Sequence, residues 1–268
     1  MYKNFEFSIL QDCLKKIREE KPMVLHFTNY VTMDLGANCV LAVGGSYMLS
    51  FTTKDLEELI CKSESLVINI GTLDSSFANL CIQAVKMAKT HNKPVVFDPV
   101  GAGATEFRAS ISRDLMPYVD VVKGNAGEII ALAYGKNQSK GVDSLSGPKE
   151  AQKYAQEISK KYRCIVVVTG DVDYITYEDR WTQVPFGVPL MTSVVGMGCS
   201  LASIIGTFIP VLEDKFESTV SAVRYFAMCG NIAFSKAQSP GQFRTFFVDT
   251  LHEADFDHMM CLLPSVEI

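Results

Sequence analysis

The sequence lacks the features that would direct it to nucleic acid, into a membrane or out of the cell. Among 268 residues, Lys and Arg number 25 against 30 Asp and Glu, a formal charge of −5, and the basic residues are scattered rather than gathered in runs. That balance offers no basic face to a phosphate backbone or an anionic bilayer, so neither nucleic acid nor membrane is expected as a partner. No apolar stretch approaches the ~20 residues that a membrane span needs. The longest, Leu201 to Leu212, is interrupted by Ser203, Gly206, Thr207 and Pro210. The opening segment MYKNFEFSILQDCLKKIREEK is charged and amphipathic, without the apolar run and cleavage site of a secretory leader. Eight cysteines are present, yet no two stand in a CxxC spacing. Reduced thiols in the cytoplasm are therefore the expectation.

What is present suits an ordinary globular enzyme. The chain is 48% hydrophobic and 21% charged, and a chain of this length buries roughly three-quarters of the surface it would expose unfolded. Short β-branched runs recur and end in polar or glycine-containing turns: VLHF before Thr28-Asn29, LVINI before Gly71-Thr72, PVVF before Asp98-Pro99, VDVV before Lys123-Gly124-Asn125, and IVVV before Thr169-Gly170. Helical spacing falls between them, at 54–62, 76–91, 108–117, 126–134 and 147–162. This alternation predicts an α/β fold with a largely parallel central sheet flanked by helices. Asp173 to Phe186 reads as an antiparallel hairpin turning at Glu178-Asp179. Two long apolar segments beginning at Cys199 and Ser218 read as buried helices, and a last helix is expected from Phe247 to about Leu262. The loop 135–147 is the one extended polar connection, and no linker divides the chain, so a single domain over 1–268 is expected.

In open parallel sheets ligands bind beyond the carboxyl ends of the strands. Thr28-Asn29, Gly71-Thr72, Asp98, Asn125, Thr169 and Cys199 should then share one rim. Any one of these polar residues taken alone could simply cap the next helix; their recurrence after five strands is what marks the rim. The strongest local signal is SVVGMGCSLASII, from Ser193 to Ile205. Gly196 and Gly198 lead into an apolar helix, so backbone N–H groups and the helix dipole can receive an anion. The segment matches neither the dinucleotide fingerprint nor the Walker pattern. Cys199, in the first turn, is expected to have its thiol lowered from the reference of about 8.5 by the dipole. Asp98 at a strand end and Glu128, three residues after Asn125 on an opening helical turn, suit Mg²⁺, which takes one or two carboxylates with waters and phosphate oxygens. For Asn125 and Glu128, helix capping competes with that role. Thr169-Gly170 can hydrogen-bond a phosphate, and Lys123 can supply countercharge.

The blocks HFTNYVTMDLGANCVLAVGGS (26–46), LVINIGTL (66–73), VVFDPVGAGAT (95–105), VVKGNAGEI (121–129), VVVTGDVDYIT (166–176), GMGC (196–199) and SPGQFRTFFVDTL (239–251) resemble, in order and spacing, the hydroxyethylthiazole kinase family. The resemblance spans nearly the whole chain. It implies a ribokinase-like fold and transfer of the ATP γ-phosphate to the primary alcohol of 5-(2-hydroxyethyl)-4-methylthiazole in thiamine salvage. It assigns Cys199, with Gly196 and Gly198, to the catalytic anion hole, where most of the wider superfamily carries Asp as general base. It assigns Asn29, Leu49 and Gly196 to the thiazole alcohol, Lys123, Thr169 and Asn125 to ATP, and Asp98 and Glu128 to Mg²⁺. It also implies a homotrimer with the pocket shared between subunits and lined by the segment around Asn29 and the GGSYMLS stretch.

Five departures from the family pattern stand out. Met197 replaces a small residue between the two glycines and is expected to narrow the cradle. Tyr47 stands in place of proline, and Leu49 in place of a substrate-contacting methionine with similar volume. SPGQF replaces GPGSF, and Lys123 stands where arginine is usual. Three other readings compete. One is a ribokinase-like kinase for another small alcohol, such as a hydroxymethylpyrimidine, or a hydrate dehydratase of the same superfamily. Another is a cysteine hydrolase pairing Cys199 with His26. The third is a nucleotide-binding relative without catalysis.

Overall fold

A computed structural model describes residues 7–134 and 148–263. An opening helix α1 (Phe7–Glu20) precedes strand β1 (Met23–Phe27), α2 (Met33–Val43), β2 (Ser46–Leu49), α3 (Leu56–Lys62), β3 (Ser65–Asn69) and α4 (Ser75–Thr90). Next come β4 (Val95–Asp98), α5 (Glu106–Leu115), β5 (Val121–Asn125), α6 (Ala126–Tyr134), α7 (Pro148–Tyr162) and β6 (Ile165–Thr169). The hairpin β7 (Asp173–Tyr177) and β8 (Arg180–Val184) follows, and then α8 (Met197–Phe208), α9 (Lys215–Lys236), α10 (Pro240–Glu253) and α11 (Phe256–Cys261).

The strands form one sheet in the order β2-β1-β3-β4-β5-β6-β7-β8. The first six are parallel, and only the hairpin runs antiparallel. Alternate residues of each strand feed two apolar layers. Val24, Val67, Val96 and Val121 face a layer that contains residues of α1, α2 and α8 to α11. Leu25, Leu66, Phe97 and Val122 face a second layer built with α3 to α7. Burial on both faces explains why these strands read as continuous apolar runs. Helix α8 lies close against the sheet at Gly206, where a Cβ would stand 2.4 Å from Val67 Cγ2. The Ser65 hydroxyl donates to the Gly206 carbonyl at 2.6 Å and fixes that approach.

The expected sheet, hairpin and flanking helices are present; α2 lies outside the expected helical segments, the second buried helix starts at Lys215 rather than Ser218, and three further differences stand out. Strand β2 is a sheet edge that the pattern did not mark: it is four residues long and half-buried throughout, so no apolar run announces it. The first buried helix starts at Met197, two residues before Cys199. The expected last helix is two helices. α10 begins seven residues before Phe247 behind Ser239, with Pro240 at its first position, and ends at Ala254, whose φ of 52° breaks it before Asp255 caps α11. The polar loop 135–147 lies outside the described residues. Among the described residues, no helix is long and apolar enough to cross a membrane.

Candidate active site

The carboxyl ends of the parallel strands bring together one residue each from distant parts of the sequence. Strand register sets Asn69 beside Asp98 and Asn125 beside Thr169. After β1 the chain turns at Asn29, whose Oδ1 accepts from the N–H groups of Val31 and Thr32, both at 3.0 Å. Its Nδ2 reaches Thr32 Oγ1 at 2.7 Å, Asn69 Oδ1 at 2.8 Å and the Cys199 sulfur at 3.7 Å. Asn69 in turn donates to Asp98 Oδ2 at 2.7 Å. The other oxygen of Asp98 accepts from Lys123 Nζ at 3.1 Å, and Lys123 also donates to the Gly198 carbonyl at 3.0 Å. Since Gly198 and Cys199 are neighbours in the chain, these contacts close a ring.

Charge in that ring is buried. Asp98 is fully inaccessible and Lys123 is 4% exposed. Burial alone would push the ammonium down, but the carboxylates of Asp98 and Glu128 outweigh it and hold Lys123 above its ordinary value. Glu128 shows the opposite face of the same problem. Burial and the Asp98 charge push its carboxyl up, against the pull of Lys123. Its Oε1 accepts from Gly101 N–H at 3.1 Å and its Oε2 from Asn125 N–H at 2.9 Å. Asn125 Oδ1 returns the bond by accepting from Glu128 N–H at 2.9 Å, so the capping arrangement expected of this pair is formed.

Above the ring lies the amino end of α8. Gly196 caps it with φ 95°, a conformation that a side chain resists, and a Cβ there would also stand 3.1 Å from Thr32. The first-turn N–H groups of the helix have no acceptor within the helix itself and face this end. Cys199 is half-buried in that turn. Its thiol is not lowered as the dipole argument predicted. Burial and the nearby Asp98 carboxylate push it up, more than Lys123 and the hydrogen bonds of Thr32 and Asn69 pull it down. At neutral pH it is a protonated thiol. Met197 does not narrow the cradle either: it is 4% exposed and its side chain joins the apolar layer beneath α8.

The remaining predicted residues divide between this centre and its margin. Leu49 sits half-buried at the carboxyl end of the edge strand, in register with His26. Thr169 ends β6, and Gly170 after it donates to Asp173 Oδ1 at 3.0 Å. His26 is not paired with Cys199. Its Nδ1 lies 3.1 Å from the Val24 carbonyl and its Nε2 3.0 Å from Ser203 Oγ, and burial pushes it down to about 3. A neutral imidazole engaged at both nitrogens leaves the cysteine hydrolase without a base. The Tyr47 ring packs on it, centroids 4.2 Å apart.

Comparison with known proteins matches residues 14–256 to the model of the hydroxyethylthiazole kinase family. The chain belongs to that family. Hydroxyethylthiazole kinase of Chlamydia felis is 41% identical over 252 residues, covering 93% of this chain and 96% of that protein. A solved hydroxyethylthiazole kinase structure from Pyrococcus horikoshii superposes with a TM-score of 0.86 at 36% identity, covering 95% of this chain and 96% of the other. A ribokinase-like superfamily protein from Enterococcus faecalis superposes with a TM-score of 0.66 at 14% identity, covering 94% and 99% of the two chains, a likeness of fold alone.

Within this family member, sequence reasoning missed three residues of the site. Asn69 is the hub of the ring, and its one signal was an amide inside the apolar run LVINI. Thr32 had no signal beyond its place after the TNYV turn. Arg108 donates to carbonyls of two rim loops, and an arginine on an exposed helical turn is ordinarily solvated.

Proposed function

We propose that this member of the family transfers the γ-phosphoryl group of ATP to the primary alcohol of 5-(2-hydroxyethyl)-4-methylthiazole, a step of thiamine salvage, with Mg²⁺ as the required cation. The observation that carries this reading is the closed ring from Cys199 through Asn29, Asn69, Asp98 and Lys123 to Gly198. An anion-receiving helix terminus, a buried ammonium and a buried carboxylate meet in it, and phosphoryl transfer rests on such positioned charge.

The residues fit a hydrated magnesium ion. Two carboxylates, Asp98 and Glu128, act on the single ammonium of Lys123, and Asp98 raises Glu128, a pairing that a divalent cation would relieve. Among the described residues no three His, Cys, Asp or Glu side chains form a metal cage, so the ion would rest on these two carboxylates, water and phosphate oxygens. When bound, it supplies countercharge to the phosphate oxygens. Lys123 contributes a second, permanent cation at the base of the cradle. The N–H groups of the first turn of α8 stabilise charge on the transferring phosphoryl. The protonated Cys199 orients the alcohol by hydrogen bonding instead of removing its proton, and Asn29, Gly196 and Leu49 border the alcohol. Thr169 and Asn125, at the ends of β6 and β5, form the nucleotide side, and β5 adjoins the Asp98 strand β4.

Tyr30, Val31 and Phe51 are exposed apolar residues on this rim, as is Val195 next to Gly196, and the Tyr30 and Phe51 rings lie 5.0 Å apart. We infer that neighbouring copies cover them in a homotrimer whose pockets are shared and closed to water. All eight cysteines are free, which supports a cytoplasmic enzyme. ADP release measured with and without the thiazole alcohol, with the phosphate ester identified by mass spectrometry, tests the reading. ADP formation should require the thiazole alcohol. Release indifferent to it, or a preference for a hydroxymethylpyrimidine offered in parallel, overturns the assignment.

A further inference from the structure

We propose that Arg108 is a positioning residue for the two carboxylates: its guanidinium clamps the loop after β3 to the loop after β4 and thereby sets the relative placement of Asp98 and Glu128. The inference rests on the phosphoryl-transfer reading above. Arg108 stands in the first turn of α5, where the Thr105 hydroxyl accepts from its N–H at 3.3 Å. From there Nη1 donates to the carbonyls of Ile70 and Val100, the latter at 2.9 Å, and Nη2 donates to the carbonyl of Gly71 at 2.9 Å. All three acceptors are backbone carbonyls, two on the first loop and one on the second.

Each clamped residue is one bond from the site. Ile70 N–H donates to the Asp98 carbonyl at 3.4 Å, and Val100 N–H reaches the same oxygen at 2.9 Å. Gly71 N–H donates to Asn69 Oδ1 at 2.9 Å, which fixes the amide that holds Asp98 Oδ2. Beyond Val100, Gly101 takes φ 71° and turns its N–H onto Glu128 Oε1 at 3.1 Å. A Cβ on Gly101 would stand 3.5 Å from Arg108 Cδ, so the turn lies along the arginine stem. Letting the two loops part would therefore release Asp98 through Asn69 and Glu128 through Gly101 together. A planar guanidinium can hold carbonyls of both loops at once, whereas a lysine ammonium is a single point of attachment.

The test compares Arg108→Ala and Arg108→Lys with the parent by amide hydrogen exchange and by the Mg²⁺ dependence of ADP release. In Arg108→Ala the Gly71 and Gly101 amides should exchange faster while those of β5 keep their rates. The Mg²⁺ concentration for half-maximal activity should rise about 10- to 100-fold, as for groups that support metal ligands. Millimolar guanidinium should restore part of the loss in Arg108→Ala and leave the parent unchanged. Arg108→Lys, the variant less prone to misfold, should fall between the two. Unchanged Mg²⁺ dependence and unchanged Gly101 exchange, with only a lower melting temperature, would overturn the proposal and leave Arg108 a structural tie. If the parent releases no ADP with any alcohol, the functional reading fails, while the exchange rates still decide whether the clamp exists.

Discussion

Replacing Lys123 by Met tests the electrostatic centre of the site directly. At the observed 3.1 Å separation from Asp98, an effective dielectric of about 20 gives an attraction of about 5 kcal/mol. Much of this offsets the cost of taking both charges out of water, so the pair as a whole contributes far less. Removing one partner is different. Lys123→Met leaves the Asp98 carboxylate buried with only the Asn69 amide as donor and leaves the Gly198 carbonyl without the ammonium. Breaking a buried pair in this way costs about 3–5 kcal/mol. That is a large part of the ~5–15 kcal/mol that separates a folded domain from its unfolded chain. Asp98→Asn should cost a similar amount by stranding the ammonium. The double variant, with neither charge, should be more stable than the sum of the two losses predicts, by about 2 kcal/mol or more. Urea unfolding of the four proteins at one protein concentration and pH measures the cycle. If Lys123→Met costs less than about 1 kcal/mol, or if the two losses simply add, Lys123 and Asp98 are not each other's countercharge and the reasoning fails.

Three further outcomes follow from individual environments. Because the Cys199 thiol is pushed up, Cys199→Ser should keep kcat within about tenfold of the parent; a loss in the 10²–10⁴-fold range of a general base would restore the base role. Met197→Ala should cost about 2–5 kcal/mol of stability by emptying core volume while leaving KM for the thiazole alcohol unchanged, and a changed KM with intact stability would put that side chain back in the cradle. Burial pushes Asp173 up from 3.8 to about 6. Its folded-state preference for the neutral form therefore contributes fully below pH 3.8 and is lost as pH rises through about 6, a change of at most about 3 kcal/mol. Asp173→Asn keeps an oxygen for the Gly170 N–H, so its stability advantage over the parent should grow between pH 4 and 7; an advantage that is flat with pH removes Asp173 from the pH dependence.

The parts of the fold that could be read from sequence were those in which one residue's environment decides its type. β1, β3, β4, β5 and β6 are buried on both faces and had to be β-branched runs. β2 lies at the edge with every residue half-buried, so nothing in SYML required an apolar run. The start of α10 was written in Ser239-Pro240, an N-cap position followed by a first-position proline, although the expected helix began only at Phe247; its end at Ala254 rests on a φ of 52° that the apolar periodicity does not show. The site divides in the same way. Asp98, Glu128 and Cys199 stand at a strand end or in the first turn of a helix, and Lys123 ends the apolar run of β5, places where a chemically distinctive residue is conspicuous. Asn69 and Arg108 act through partners 29 to 40 residues away in sequence, and no local pattern encodes such partners. The sign of the Cys199 shift was missed for a related reason. The helix dipole is a local property that spacing reveals, whereas burial and the facing Asp98 charge come from the sheet below. At this half-buried position the tertiary environment outweighs the local one, and that is what leaves Cys199 a hydrogen-bonding group rather than a thiolate.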